Sequence, residues 1–446
     1  MNNTLSVFDL LLPPFYLLAA VSYGYWVMKK NIRTNPEYRY FIPGLLARIT
    51  GSIVLGLIYF FYYDGGDTVN YFESASAFGK LFFVNRDDFW VGWLGNAKGH
   101  YFTFTDQTGY PIYMPRDSHS FFVVRLLIPV VSLGFYSYFA SAILVAWITY
   151  GGMWKLYQTF LQEFPELRTQ LAIAVLFVPS CVFWGSGLMK DSFTLSAVGW
   201  FTYGFYHFFI KKKRKFSYAF ALVIASVVIL AIKPYIYFAL LPGTILWLSN
   251  NLVRKINHRF LRTIATPLII AIAVQAAFFI LGIMGSNLGQ YNIDQVLDKA
   301  VVTQQDMKAE HYGGKAYDIG DFDASLSGIL KVSPMAIFSG IFRPGLWDVK
   351  NVVMLISSLE NTYLLILTVF LLIKLRVLGF FVIISKNPML LFCMLFSLFF
   401  AFSVGLTVAN FGSLVRLRIP ELPFFVAGIF MLRHIYEKQS GTKVKF

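Results

Sequence analysis

The stretch Tyr63-Asp64-Gly65-Gly66-Asp67-Thr68-Val69-Asn70-Tyr71 follows an apolar run that, with its N-terminal flank, is long enough to cross a bilayer. The carboxylates of Asp64 and Asp67 are therefore expected where a membrane helix meets water. A carboxylate in that position is costly unless it is solvated, paired or used, and the two glycines permit a tight turn and the close approach of a ligand. Two interpretations stay open: Asp67 caps the next helix, or it is an acid or base facing a substrate on the outer membrane face.

Composition identifies the class of protein. Of the 446 residues, 57% are hydrophobic and only 14% are charged, whereas a soluble domain carries about a quarter charged residues. The apolar residues occur in blocks of roughly 20, the length of one bilayer crossing. The net charge of +15 lies mainly beside these blocks, which indicates membrane orientation and anionic lipid rather than nucleic acid. We therefore predict an all-α polytopic integral membrane protein with a single domain over residues 1–446.

Basic clusters set the predicted topology because they mark the cytoplasmic side of a membrane protein. Four clusters serve as inside markers: residues 29–39, 211–215, 254–262 and 438–445. With these inside, the chain crosses about eleven times, with the N-terminus outside and the C-terminus in the cytoplasm of a bacterial cell. Two long outer loops result, residues 64–119 and 286–349. The first is rich in aromatic residues, so we expect much of it to lie on the membrane interface.

The lengths of the apolar segments, and the proline and glycine residues within them, determine where helices are predicted to begin and end. Residues 217–250 would form a helix roughly 50 Å long, which exceeds the bilayer core, so the central Lys233-Pro234 predicts two short helices joined by a hinge. Residues 120–160 are also too long for one crossing. Pro129 and Gly134 predict an outer helix there, followed by a span over residues 136–156. Residues 171–189 are predicted to form one outward span. Residues 267–285 are predicted to form a further outward span, residues 326–341 an apolar outer helix, and residues from about 352 to 374 an inward span.

Basic residues on the outer face, or within a span, break the orientation rule and are the candidate binding residues. They are Arg116, Arg125, Lys190, Lys233, Arg343, Arg416 and Arg418. If the helices bundle, these side chains converge on one region, where Arg and Lys can hold a phosphate group and the acidic pair Asp64 and Asp67 can supply a general base. The alternative is internal pairing, which is common at membrane depth: Lys190 with a nearby acid, Arg418 with Glu421, and Arg343 with Asp348.

The layout resembles the GT-C class of integral-membrane glycosyltransferases. The resemblance rests on Gly66-Asp67-Thr68…Tyr71 opening the first long outer loop, on interfacial helices in that loop, and on basic residues at later outer ends. It implies that Asp67 is the catalytic base, with Asp64 as the second catalytic candidate, and that later basic residues hold the lipid phosphate. These are Lys190, Arg343, Arg416 and Arg418, to which the charge pattern adds Lys233 and Arg116. Two features depart from the class: a span, residues 10–28, precedes the acidic loop, and the motif reads Gly-Asp-Thr instead of Asp-Glu.

The resemblance implies glycosyl transfer from a polyprenyl-phosphate-linked sugar to a glycan or lipid acceptor at the outer face of the inner membrane, in assembly of cell-envelope polysaccharide or glycolipid. The expected partners are the donor, the acceptor and membrane lipid, without nucleic acid. No cofactor is implied, a divalent cation is compatible with the chemistry, and no metal ligand is identified. Two alternatives stay open. One is a transporter or flippase of an anionic lipid or solute, which the Lys233-Pro234 hinge and intramembrane Glu360 favour. The other is an outer-face polysaccharide polymerase or ligase.

Overall fold

The computed structural model describes residues 7–95, 103–111, 117–253 and 325–441, together with positions 302, 317, 319, 320, 322 and 323. Within these residues the chain is helical and forms no β-strand. Five of its helical segments are long and apolar enough to cross a membrane: Val7–Asn31, Pro36–Phe61, Tyr138–Glu163, Met354–Lys386 and Pro388–Thr407. Helices suit that environment because they satisfy their own backbone hydrogen bonds. The all-α class is confirmed, and the count of about eleven spans stays a prediction.

The helices of the described residues follow one another in this order: α1 Val7–Leu11, α2 Pro13–Asn31, α3 Phe41–Phe61, α4 Asp67–Val84, α5 Arg86–Leu94, α6 Ser118–Leu133, α7 Tyr138–Glu163, α8 Arg168–Leu176, α9 Pro179–Trp184, α10 Lys190–Phe205, α11 Phe216–Ile232, α12 Pro234–Val253, α13 Leu326–Phe342, α14 Val352–Lys386, α15 Pro388–Thr407, α16 Phe411–Leu417 and α17 Leu422–Ser440. A π-helical turn, Tyr206–Ile210, extends α10, and a 3₁₀ turn, Leu346–Asp348, precedes α14.

The chain divides into two compact units. The first unit comprises Met1–Lys155, Cys181–Trp200 and Val227–Lys233, and the second comprises Leu156–Ser180, Phe201–Ser226 and Pro234–Phe446. Each unit therefore draws on segments that are distant in sequence. The single domain expected over residues 1–446 stays a prediction.

Glycines bring helices of the first unit into backbone contact. A Cβ atom on Gly199 of α10 would clash with the carbonyl oxygen of Gly152 on α7, and one on Gly51 of α3 would clash with that of Val182 on α9. Small residues at such positions allow the close approach that holds membrane helices together.

The second unit is built around α15. Its contact with α13 is again between backbones, because a Cβ atom on Gly340 would clash with the carbonyl oxygen of Ala401. Aromatic rings fill the other face: Phe424 of α17 packs edge-on against Phe396 with ring centroids 4.8 Å apart, and Trp247 of α12 stacks on Phe392 at the same centroid distance. Ring pairs of this kind contribute beyond their buried area.

The predicted helix breaks have different outcomes. The break at Lys233-Pro234 is confirmed, since α11 ends at Ile232 and α12 begins at Pro234. Residues 120–160 do form two helices, but the break follows Gly134, where Phe135 has a φ of 51°, and Pro129 lies inside α6. Residues 171–189, predicted to form one outward span, are not one continuous helix: α8 ends at Leu176, α9 is short, and residues 185–189 are not helical. Their crossing of the membrane stays a prediction. Pro179 disfavours a helical conformation in the residue before it, which separates α8 from α9.

Several predictions fall outside the described residues. They concern Arg116, the inside marker at residues 254–262, the outward span at residues 267–285 and most of the first half of the outer segment 286–349. The second half of that segment is the predicted apolar helix, α13. The inward span predicted from Val352 to Lys374 continues as α14 to Lys386, with a kink at Arg376, whose φ is 58°.

Candidate functional site

The acidic motif forms a tight turn in the first unit. After α3 ends, Asp64 adopts a φ of 52° and Gly65 and Gly66 both adopt 117°, a region that glycine enters without steric cost. Gly66 occupies the N-cap position of α4 and Asp67 is its first helical residue. The capping interpretation is therefore corrected: Asp67 is not the N-cap, although a carboxylate in the first turn still interacts favourably with the helix dipole. Asp67 is half-buried and Asp64 is exposed.

The starts of α4, α6 and α10 meet in what we name the three-helix junction. Tyr71, one turn into α4, donates a hydrogen bond of 3.1 Å to the hydroxyl of Ser120 near the start of α6. Asp117 caps α6 by accepting from the backbone N–H of Ser120 and of His119. The same carboxylate forms an ion pair of 2.8 Å with Lys190, the first residue of α10.

The acidic motif lies beside this junction. A Cβ atom built on Gly187, three residues before Lys190, would be 3.9 Å from the hydroxyl oxygen of Thr68, which follows Asp67. The hydroxyl of Thr68 is in turn 2.7 Å from that of Tyr138, the first residue of α7. The start of α4, with Asp67, and the start of α10, with Lys190, are thus neighbours in the first unit.

The Asp117–Lys190 pair is charged and reaches the surface. Burial raises the pKa of Asp117, but hydrogen bonds from Lys190 and Ser120 lower it more strongly, to about 2. The side chains of Lys190 and Asp117 are 19% and 44% exposed. A lysine ammonium has three N–H donors, and hydrogen bonding within the described residues uses one of them, on Asp117. Lys190 can therefore meet a second anionic group without leaving Asp117.

A second ion pair is more deeply buried than the first. Lys233 hydrogen-bonds to Asp191, the residue after Lys190, and the two side chains are 6% and 0% exposed. The ring Nδ1 of His119 lies 2.7 Å from the carbonyl oxygen of Ala231, at the end of α11. The break between α11 and α12 is therefore attached both to the start of α10 and to the start of α6.

Arg48 of α3 is a buried residue outside the predicted set of candidate binding residues. Its Nε and Nη2 lie 3.3 and 3.2 Å from the hydroxyl of Thr149, and Nη2 also donates to the carbonyl oxygen of Gly185. In the described part of the chain no carboxylate forms a salt bridge with it. Gly185 begins the non-helical segment before Lys190, so Arg48 fixes that segment. The available sequence signal was a lone arginine inside an apolar run.

The second unit contains a separate buried arginine cluster centred on Arg418, which is 0% exposed. One of its nitrogens donates to the carbonyl oxygens of Ile341 and Arg343 at 2.8 and 3.3 Å, and the other donates to the side chain of Asn361. The carboxylate of Glu360 is 3.6 Å away. The pairing predicted with Glu421 is therefore corrected, since the described carboxylate in salt-bridge range is Glu360, although Glu421 interacts electrostatically with Arg418.

The other basic candidates of the second unit have defined positions. Arg343 forms two hydrogen bonds with Asp348, of 3.1 and 2.7 Å, which confirms the predicted internal pair. Its guanidinium carbon lies 5.1 Å from the ring of Tyr317 and 4.9 Å from that of Phe411, within the range of a cation–π interaction. Arg416 is half-buried in α16.

Lys190, Lys233 and the acidic motif thus lie in the first unit. The second unit contains Arg343, Arg416 and Arg418. Internal partners engage Lys190, Lys233, Arg343 and Arg418. Convergence of all these residues on one phosphate stays a prediction. Among the described residues, no group of three or more His, Cys, Asp or Glu side chains is arranged to hold a metal ion. Comparisons with protein-family models, with curated proteins and with solved structures found no match.

Proposed function

We propose that the chain is a GT-C-like membrane glycosyltransferase that takes a sugar from a polyprenyl-phosphate-linked donor at the outer face of the bacterial inner membrane, in assembly of cell-envelope polysaccharide or glycolipid. The observation that carries the proposal is the three-helix junction. A half-buried carboxylate, Asp67, and a partly exposed cation, Lys190, begin neighbouring helices there. The proposal includes about eleven spans, an outer N-terminus and a cytoplasmic C-terminus.

The chemistry assigns a role to each group. Asp67 accepts the proton of the acceptor hydroxyl while the hydroxyl oxygen forms a bond to the anomeric carbon of the donor. The bond between that carbon and the phosphate oxygen breaks, and the phosphate leaves with both electrons. Lys190 and the backbone N–H groups at the starts of α4 and α10 stabilise the developing charge, because helix N-termini favour anions. The structure uses Lys233 and Arg418 internally, so their predicted role in substrate binding is secondary to that of Lys190 in this scheme.

A transporter or flippase is the second candidate function. The broken pair α11 and α12, with a buried ion pair at the break, favours it, because discontinuous helices often form transport sites. An outer-face polymerase or ligase would use the same chemistry as the transferase with a longer glycan as acceptor.

Asp67→Asn tests the proposal because asparagine nearly preserves shape and hydrogen bonding but cannot act as a base. We expect product formation from a panel of polyprenyl-phosphate sugars in detergent to fall about 10²–10⁴-fold, with the free energy of unfolding lowered by no more than the lost helix-dipole interaction, about 0.3–1 kcal/mol. Asp64→Asn is the matched control: Asp64 is exposed and precedes the helix, so its loss should do less. A stable and fully active Asp67→Asn protein would contradict the assignment of Asp67 as the base, whereas a stable wild-type protein that forms no product would favour transport.

A further inference from the structure

The side chain of Glu421 is a buried acid that forms no hydrogen bond with the described residues. It is 0% exposed immediately before α17, and neither carboxylate oxygen has a hydrogen-bond partner in the described part of the chain. Burial raises its pKa well above the usual range, and the positive charge of Arg418 only partly opposes this. A carboxylate in such surroundings costs far more free energy ionised than neutral.

A second carboxylate lies in the same cluster. Glu360 of α14 accepts a hydrogen bond of 2.9 Å from the backbone N–H of Ser180 through one oxygen. Its other oxygen is the one 3.6 Å from Arg418, and that oxygen accepts no hydrogen bond from the described residues. Two buried carboxylates therefore interact electrostatically with one guanidinium.

Arg343, Tyr317 and Ser397 are further described residues around the cluster, and none of the three adds an uncompensated positive charge. Arg343, at the end of α13, is neutralised by Asp348 through two hydrogen bonds. Burial raises the pKa of Tyr317, which the charges of Arg343 and Arg418 lower less, so its hydroxyl is neutral. From α15, the hydroxyl of Ser397 contacts the backbone carbonyl of Glu421 and carries no charge.

We propose that Glu421 and Glu360 hold a single proton between them beside Arg418, and that this cluster is a proton-binding site of the second unit. Two carboxylates that share one counter-charge titrate as a coupled pair. The proton resides on Glu421, because Glu360 has both the Ser180 N–H and the nearer guanidinium to stabilise its charge. Buried acids of this kind serve proton relays in membrane proteins. The site is independent of the Asp67 mechanism, which belongs to the first unit.

Infrared spectroscopy of the purified full chain tests the assignment, because a protonated carboxylic acid has a carbonyl stretch that an ionised carboxylate lacks. We expect this band at neutral pH and its loss as the pH rises. Glu421→Gln should remove the band, whereas Glu437→Gln, which breaks a partly exposed pair with Arg433, should leave it. Glu360→Gln should also weaken the band, because Glu421 can then ionise against Arg418.

Three results would overturn the proposal. The first is the absence of the band from the wild-type protein at neutral pH. The second is a band that persists in Glu421→Gln. The third is a band that is absent without salt while sodium ions raise the thermal stability, which would assign a metal cation in place of the proton. The wild-type titration gives a decision even where a glutamine variant does not fold.

Discussion

Replacing Lys233 with methionine separates a structural ion pair from an open phosphate-binding lysine. Methionine is unbranched and flexible, so it fills the volume of the lysine stem. The substitution leaves the Asp191 carboxylate, which is fully buried, without the Lys233 ammonium. If the pair is structural, the main effect falls on stability. If Lys233 instead binds a phosphate, the main effect falls on substrate binding.

The expected size follows from burial. Removing one member of a buried ion pair costs about 3–5 kcal/mol, because the other charge stays buried. Adding Asp191→Asn to Lys233→Met removes that charge and leaves only a buried amide, whose cost is about 1–3 kcal/mol. The double variant should therefore be more stable than Lys233→Met alone. Arg433→Met provides the control: its pair with Glu437 is partly exposed and lies four residues along one helix, so it should cost about 0.3–0.5 kcal/mol.

The assay is reversible unfolding in mixed detergent, followed by circular dichroism, with the four proteins measured in parallel. Binding of polyprenyl phosphate is measured on the same preparations. A Lys233→Met protein within about 1 kcal/mol of wild type, with weakened binding of polyprenyl phosphate, would refute the structural assignment. That result would identify Lys233 as a phosphate-binding residue, as the charge pattern predicts.

Two further predictions concern acid stability and topology. Because the pKa of Asp117 is lowered from 3.8 to about 2, its contribution to stability is present above its unfolded pKa and is lost as the pH falls towards 2. Asp117→Asn should therefore weaken the loss of thermal stability that occurs as the pH falls from 3.8 to about 2. An unchanged dependence of thermal stability on pH would contradict the role of the ion pair with Lys190. For topology, Gln107→Cys should react with a membrane-impermeant thiol reagent in intact cells, and Lys212→Cys should not. The native cysteines should give little background because both are buried. The reverse pattern of labelling would invert the predicted orientation.

Features determined by nearby residues were predictable from the sequence. The break at Lys233-Pro234 follows from the chemistry of proline, and the turn before α4 follows from Gly65 and Gly66. The Arg343–Asp348 pair joins residues only five positions apart. In each case the residues that cause the feature lie within a few positions of one another.

Features that depend on distant partners were not predictable. Lys190 and Asp117 are 73 positions apart and Arg48 and Gly185 are 137 apart, and no periodicity indicates which pairs meet. The apolar composition of residues 171–189 does not reveal the break before Pro179. Glu421 was predicted to pair with Arg418, and only the packing around it reveals that its carboxylate oxygens form no hydrogen bond with the described residues.

The contacts of Arg48 have a consequence for biosynthesis. Thr149 and Gly185, which satisfy its guanidinium in the folded chain, follow it by 101 and 137 residues. At about 5–20 residues per second, they leave the ribosome roughly 5–30 s after α3. In the predicted topology, α3 resides in the membrane during that interval with an arginine whose insertion costs about 2.5–3.5 kcal/mol at a helix centre. The apolar residues on both sides of Arg48 must hold α3 in the bilayer until its partners arrive, so α3 tolerates a second polar substitution less well during synthesis than the finished fold does.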